Sequence, residues 1–455
     1  MRRPHRAPPL AIAGLAAAMV VAVVAVVALA VIRSPAPGAP SPTDDAGRPA
    51  VGVVPVADPR PWTSVTWRRL VLAPGMPPGH TRIDGLVRGA PGLVAWGRTA
   101  MPGRNQFDDM GAAYLSAAGD RWAVVPIDSG VGPRDTSEIR VVAWGPAGLL
   151  ALGGVCCDDE ERPAAWTSPD GTAWTRVPVD PDLAMVEVAH LIATDDGFLV
   201  AGAAGGRAAM LVSSDGVAWD AVDPAVAGLG PGGVSHVAAT RDGYLAVGWT
   251  DDGATYDGAV WRSADGRSWA KVEEPLLAGD QDTQLWRSVP FAGGEHLTGN
   301  EGAHAERIRC EQLLGLQASV AGPAADPAGT MDLSCGWGLE TEWLRVADGA
   351  LQRLQVRRLG AVAPPPGTFA GSALIVAGGP GLLAIGEAEG EAGVRLWASR
   401  DGRSWERVLP DQPFEVGASV SGLVVDGRRL VAVGEDWDPN GNQPGVPAIW
   451  LGIAD

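Results

Sequence analysis

Tyr256 stands beside Asp257 in a loop between two apolar runs, the neighbourhood a phenolate nucleophile with an assisting carboxylate would need. His190 and His236 each fall seven residues before a glycine that opens an apolar run, so two imidazoles take equivalent places in adjacent units. Such a pair can share a ligand or a metal, or can serve only as hydrogen-bonded packing. In the stretch DWDPNGN, Asp436, Asp438, Asn440 and Asn442 supply oxygens at alternate positions and Gly441 permits the turn. That matches the first half of a calcium-binding loop. The second half lacks its bidentate glutamate, since Pro447 stands there. A weak calcium site completed by Glu387, Glu435 or water therefore competes with an ordinary exposed turn, and no other cofactor is expected.

The four cysteines include no Cys-x-x-Cys pair, which removes the usual redox and zinc motifs. An oxidising environment would bridge Cys310 to Cys335, while the adjacent Cys156 and Cys157 can bridge each other, stay reduced or cross-pair. The chain also lacks a Gly-x-Ser-x-Gly elbow, a phosphate loop, a His-Glu-x-x-His zinc motif and a dinucleotide fingerprint.

The formal net charge is -18, and Lys271 is the only lysine. This excludes nucleic acid and anionic lipid surfaces as main partners. Acidic residues collect in a few segments: Asp158 and Asp159; Asp251, Asp252 and Asp257; Glu387 and Glu389; Glu435. If one face of the fold gathers these segments, it forms an acidic surface for a protein or glycan ligand, or it simply keeps the protein soluble.

The elements that must hold these residues are repeats. AAWTSPDGTAWTRV from Ala164, AMLVSSDGVAWDAV from Ala209, AVWRSADGRSWAKV from Ala259 and RLWASRDGRSWERV from Arg395 align without gaps. A period of about 45 to 52 residues marks a propeller or solenoid. Each copy reads as a strand, a Ser-x-Asp-Gly turn and a second strand headed by Trp, preceded by an apolar strand such as GLLALG from Gly148 or GYLAVG from Gly243. Degenerate copies around Tyr114, Trp343 and Trp450 bring the count to seven four-stranded antiparallel units. Trp67, Trp122, Trp174, Trp219, Trp269, Leu351 and Trp405 then mark the outer strands. The last unit lacks its fourth strand, which TSVTWRRLVL around Trp67 supplies from the other end of the chain. The expectation is an all-β, seven-bladed propeller over 61–455, closed by an N-terminal strand, monomeric, with an insertion at about 300–341 in the fifth blade.

The Ser-x-Asp-Gly-x-x-Trp element resembles the Asp-box of bacterial neuraminidase repeats, with one residue fewer between Asp and Gly. The whole folded part is similar to sialidase-like propellers, and to exported actinobacterial propellers of unassigned function. The resemblance implies a structural role for the turns, on the face away from any active site. It also defines what a sialidase-like mechanism would require: an arginine cluster, a tyrosine nucleophile with a carboxylate, and an acidic acid/base. Arg176-Val177-Pro178 mimics an Arg-Ile-Pro motif of that family but falls on an outer strand, and Tyr256 alone has a position fit for the nucleophile.

Residues 1–8 form a basic tail, and 9–32 carry no charge and are mostly Ala, Val, Leu and Ile, long enough to cross a bilayer as one helix. The leading arginines favour a cytoplasmic N-terminus and an extracellular propeller, with 33–60 as a Pro/Ala/Gly-rich stalk. Ala28-Leu29-Ala30 offers the competing reading, a cleaved signal and a secreted product. These features together point to an anchored, non-catalytic binding or scaffolding module. A carbohydrate-active hydrolase and an assembly factor for a membrane complex are the alternatives.

Overall fold

The computed structural model describes residues 62–70, 82–89, 92–100, 109–127, 136–157, 160–304, 307, 339–346, 349–357, 369–388, 393–410, 414, 417–436 and 446–454. The chain opens with β1 (Val65–Leu70). The first blade holds β2 (Arg82–Gly89), β3 (Gly92–Ala100), β4 (Asp109–Ser116) and β5 (Ala123–Pro126). The second holds β6 (Thr136–Gly145), β7 (Gly148–Cys157), β8 (Glu160–Ser168) and β9 (Thr175–Val177). The third holds β10 (Glu187–Thr194), β11 (Gly197–Ala204), β12 (Arg207–Ser213) and β13 (Asp220–Ala221). The fourth holds β14 (Gly232–Thr240), β15 (Gly243–Asp251), β16 (Tyr256–Ser263) and β17 (Trp269–Val272). The fifth holds β18 (Gln281–Phe291), β19 (Gly294–Ala303), β20 (Leu339–Val346) and β21 (Gln352–Arg357). The sixth holds β22 (Phe369–Gly378), β23 (Gly381–Ala388), β24 (Val394–Ser399) and β25 (Glu406–Arg407). The seventh begins with β26 (Ala418–Asp426), β27 (Arg429–Asp436) and β28 (Val446–Ala454).

These strands make seven four-stranded antiparallel sheets, and the fourth strand of the last sheet is β1. β1 pairs with β28 from Val65↔Ala454 to Leu70↔Ile449, so the two ends of the chain share one blade. The seven first strands touch in a closed ring, β26 against β2 completing it. No open edge is left between the first and last blades.

Packing follows one rule of register. The residue three positions into each second strand faces a large third-strand residue: Ala95↔Tyr114, Ala151↔Trp166, Val200↔Leu211, Ala246↔Trp261, Leu297↔Trp343, Ala384↔Trp397 and Ala432↔Trp450. In five of the seven pairs an alanine faces the large residue, and all seven large residues are buried. The Ser-x-Asp-Gly turns close the third and fourth strands. In each, the serine hydroxyl accepts the glycine amide at 2.8–2.9 Å, in Ser168, Ser213, Ser263 and Ser399. The aspartate accepts amides two and three residues on, as Asp265 does from Arg267 at 2.8 Å and Ser268 at 2.7 Å. The glycine carbonyl accepts the next indole N–H for Trp174 and Trp269, both at 2.9 Å. The first blade keeps this geometry without the aspartate: Gly119 N–H donates to Ser116 Oγ and Trp122 donates to Gly119 O.

Among the described residues no helix is long and apolar enough to cross a membrane. The segments 1–8, 9–32 and 33–60 lie outside the described residues, as do Cys310, Cys335 and most of the fifth-blade insertion.

Candidate functional site

Each first strand carries a β-bulge at the same place, eight residues before the second strand begins. The extra residues are Asp84, Arg140, Ala189, Ser235, Trp286, Ala373 and Ser421. A bulge breaks the two-residue alternation and re-aims the side chains on either side of it. In the third and fourth blades the residues just past the bulge are His190 and His236, both 3% exposed. Their rings stack with centroids 4.1 Å apart. His190 Nδ1 accepts the Val237 amide and His236 Nδ1 accepts the Ser288 amide, each at 3.4 Å, while Ser288 Oγ lies 3.2 Å from His236 Nδ1. Each imidazole thus ties its own blade to the next. The fifth blade places Arg287 at the same step, where burial lowers its guanidinium to about 9. The equivalent placing of the two histidines read from the sequence is what the structure shows. Both rings spend Nδ1 on an amide of the next blade, which gives the pair a structural role in holding blades together.

Toward the second-to-third-strand loops, the first two blades assemble a charged network. Glu138 accepts from Arg98, and its carboxylate lies 3.8 Å from Arg140 and 4.0 Å from Arg82. Arg82 also pairs with Asp84. Burial raises the Asp84 carboxyl, an effect that Arg82 and Arg98 partly oppose. None of these residues emerged from sequence reasoning. Their signal was a polar residue at a fixed offset within an otherwise apolar first strand, as in RIDGLV and EIRVVAW.

A second cluster joins the fourth and fifth blades on the same side. Asp282, fully buried, accepts the Tyr256 amide at 2.8 Å and the Arg307 guanidinium. Arg307 Cζ lies 3.6 Å from the centroid of the Tyr256 ring, and the Trp249 ring is 6.3 Å from it on the same face of the sheet. His304 Nδ1 lies 3.2 Å from Arg307 Nη2 and 3.3 Å from Asp282. The His304 side chain is 40% exposed.

Tyr256 and Asp257 are not in a loop but are consecutive residues of β16. Neighbours on a strand project to opposite faces, so Asp257 is turned from the phenol it was expected to assist. Asp257 instead accepts the Gly279 amide at 3.4 Å, and burial raises its carboxyl despite that bond. The other tyrosines are packing residues: Tyr114 donates to Arg98 O at 2.9 Å, and Tyr244 is buried.

Of the acidic loop residues, Asp251 accepts the Gly253 amide, and Asp252 accepts those of Ala254 and Thr255, bonds that lower its carboxyl. Glu435 and Asp436 close β27, and Asp436 lies 3.0 Å from Arg69 of the closing strand. Glu387 lies on β23. Asp158, Asp159, Glu389, Asp438, Asn440 and Asn442 lie outside the described residues. Among the described residues no group of three or more His, Cys, Asp or Glu side chains is placed to hold a metal.

No family model matches the chain, and no curated protein matches it in sequence. Solved structures resemble the chain at low similarity. The α-L-arabinofuranosidase Arb93A of Fusarium graminearum is 12% identical, with 84% of this chain and 96% of that one covered at a TM-score of 0.38. The propeller domain of the Trilobed protease from Pyrococcus furiosus is 8% identical, covering 81% and 93% at 0.42. A subtype N11 neuraminidase-like protein from a flat-faced bat influenza A virus is 9% identical, covering 89% and 98% at 0.39. Similarity at this level carries no information about activity.

Proposed function

We propose that this protein is a non-catalytic binding module, held at the outer face of a membrane by residues 9–32 and presenting the loop side of its propeller to a partner. The observation that carries the reading is the state of the one nucleophile candidate. Tyr256 is stacked by Arg307, its amide is held by Asp282, and the adjacent Asp257 projects from the other face of β16. The charge laid against this ring is a cation, and the carboxylate that stands next to it in the sequence is on the far face of the strand. The Ser-x-Asp-Gly turns fit the Asp-box reading, because their side chains are spent on the turns themselves. A hydrolase remains the second reading, through Asp257, whose carboxyl burial raises.

The test is site-directed photocrosslinking of the full chain in native membranes. Probes at Asp252 and Thr255 on the loop side and at Ser214 and Arg267 in the turns of the opposite side separate the two faces. The same partner captured from both loop-side probes and from neither turn-side probe is the expected result. Capture only from the turn side would place the binding face wrongly.

A further inference from the structure

Three successive blade connections are built to the same plan. Residues 181–184, 224–227 and 275–277 form single helical turns, each opened by proline after an acidic residue. Asp180 accepts the Asp182 amide at 2.9 Å, and Asp223 accepts the Ala225 amide at 2.9 Å, capping the first two. Each turn is pinned by a buried side chain, Leu183, Ala227 or Leu277. Asp180 also accepts the Trp219 amide of the following blade at 3.3 Å, which fixes the first turn against its neighbour. Each nevertheless turns one apolar side chain to solvent: Met185 at 70% exposure, Val226 at 71% and Leu276 at 36%. Single exposed apolar residues are common, but one on each of three consecutive anchored turns is a regular array.

The turns themselves carry acidic charge only, while Arg207 and Lys271 lie beside the second and Arg345 pairs with Glu274 of the third. Residues 178–186, 222–231 and 273–280 contain six acidic residues and no lysine or arginine. Asp182, Glu273 and Asp280 are exposed beside the apolar side chains. An anionic lipid surface would be repelled by this rim, whereas a cationic polypeptide with apolar side chains would satisfy both features. Because buried anchors hold all three turns and side-chain caps the first two, little ordering remains to be done on binding.

We infer that the linker turns of the second to fifth blades dock a lysine- and arginine-rich amphipathic segment of a partner protein, its apolar residues seated on Met185, Val226 and Leu276. The inference rests on the binding-module reading and names the chemistry of the partner. The probe is a fluorescent helical peptide of leucine and lysine with the leucines on one face, measured by anisotropy against the full chain. A peptide of the same composition with its leucines spread around the helix is the control. The one-faced peptide should bind at least tenfold tighter than the control, and Met185→Ser with Val226→Ser should remove that preference without altering the melting temperature. Those substitutions leave the charge unchanged, so any surviving electrostatic attraction stays equal for both peptides. Equal affinities for the two peptides, a preference unaffected by the double substitution, or stronger binding to phosphatidylglycerol vesicles than to the peptide would each overturn the inference. Glycosidase turnover in the same preparation would instead break the binding-module reading and leave the docking result standing.

Discussion

Asp265 accepts the amides of Ser268 and Arg267, with Ser263 adding a further bond, and together these outweigh its partial burial and hold its carboxyl at about 2. The unfolded chain would titrate near 3.8, so the folded form gains from the ionised carboxylate at every pH above that value. The gain declines as pH falls below 3.8 and is lost on passing through about 2. Asp265→Ala is expected to cost about 1 kcal/mol at neutral pH, as for loss of an N-cap. Melting curves of the variant and the parent should converge as pH falls toward 2. A gap that stayed constant with pH would show that the carboxylate is not the source. His236 makes a different kind of contribution. Truncating it to alanine removes the stacked partner of His190 and the acceptor for the Ser288 amide inside a buried ring. The expected loss is about 2–4 kcal/mol in urea unfolding. A loss below about 0.5 kcal/mol would mean that the ring tolerates an orphaned donor there.

At the level of elements, the closing strand tests the architecture. Deleting residues 62–70 strips the outer edge from β28 and uncovers Trp450, which packs edge-on to Phe414 beneath it. The truncated chain should unfold over a broad range and bind a hydrophobic dye, since one blade would be left with a bare edge and an exposed core. A melt as sharp as that of the full chain would show that three strands suffice. The strands and turns were legible because each repeats a local pattern: short apolar runs, Ser-x-Asp-Gly, and a Trp at a fixed place after the turn. The bulges were not. One extra residue leaves the apolar run intact and changes only which way each side chain points, so RIDGLV reads as an ordinary strand while its Asp84 is redirected toward Arg82. The same subtlety hid the fate of Tyr256 and Asp257. Adjacency in a loop would let them meet, and one more pair of strand residues drives them apart.

Over the whole molecule, the charges near the channel are paired or enclosed. Arg82 and Arg140 on first strands and Arg98 on β3 gather around Glu138, Arg82 also pairs with Asp84, and Arg287 is enclosed. These guanidiniums brace the inner ring, and the acids of the loops and linkers lie outside that network. The most direct test is turnover. Purified full chain, incubated with fluorogenic sialosides, arabinosides and common hexosides from about pH 4 to 8, the span in which carboxyl and imidazole catalysts work, should release no product above the buffer rate. Release that scales with protein and is abolished by Tyr256→Phe or Asp257→Asn would contradict the account.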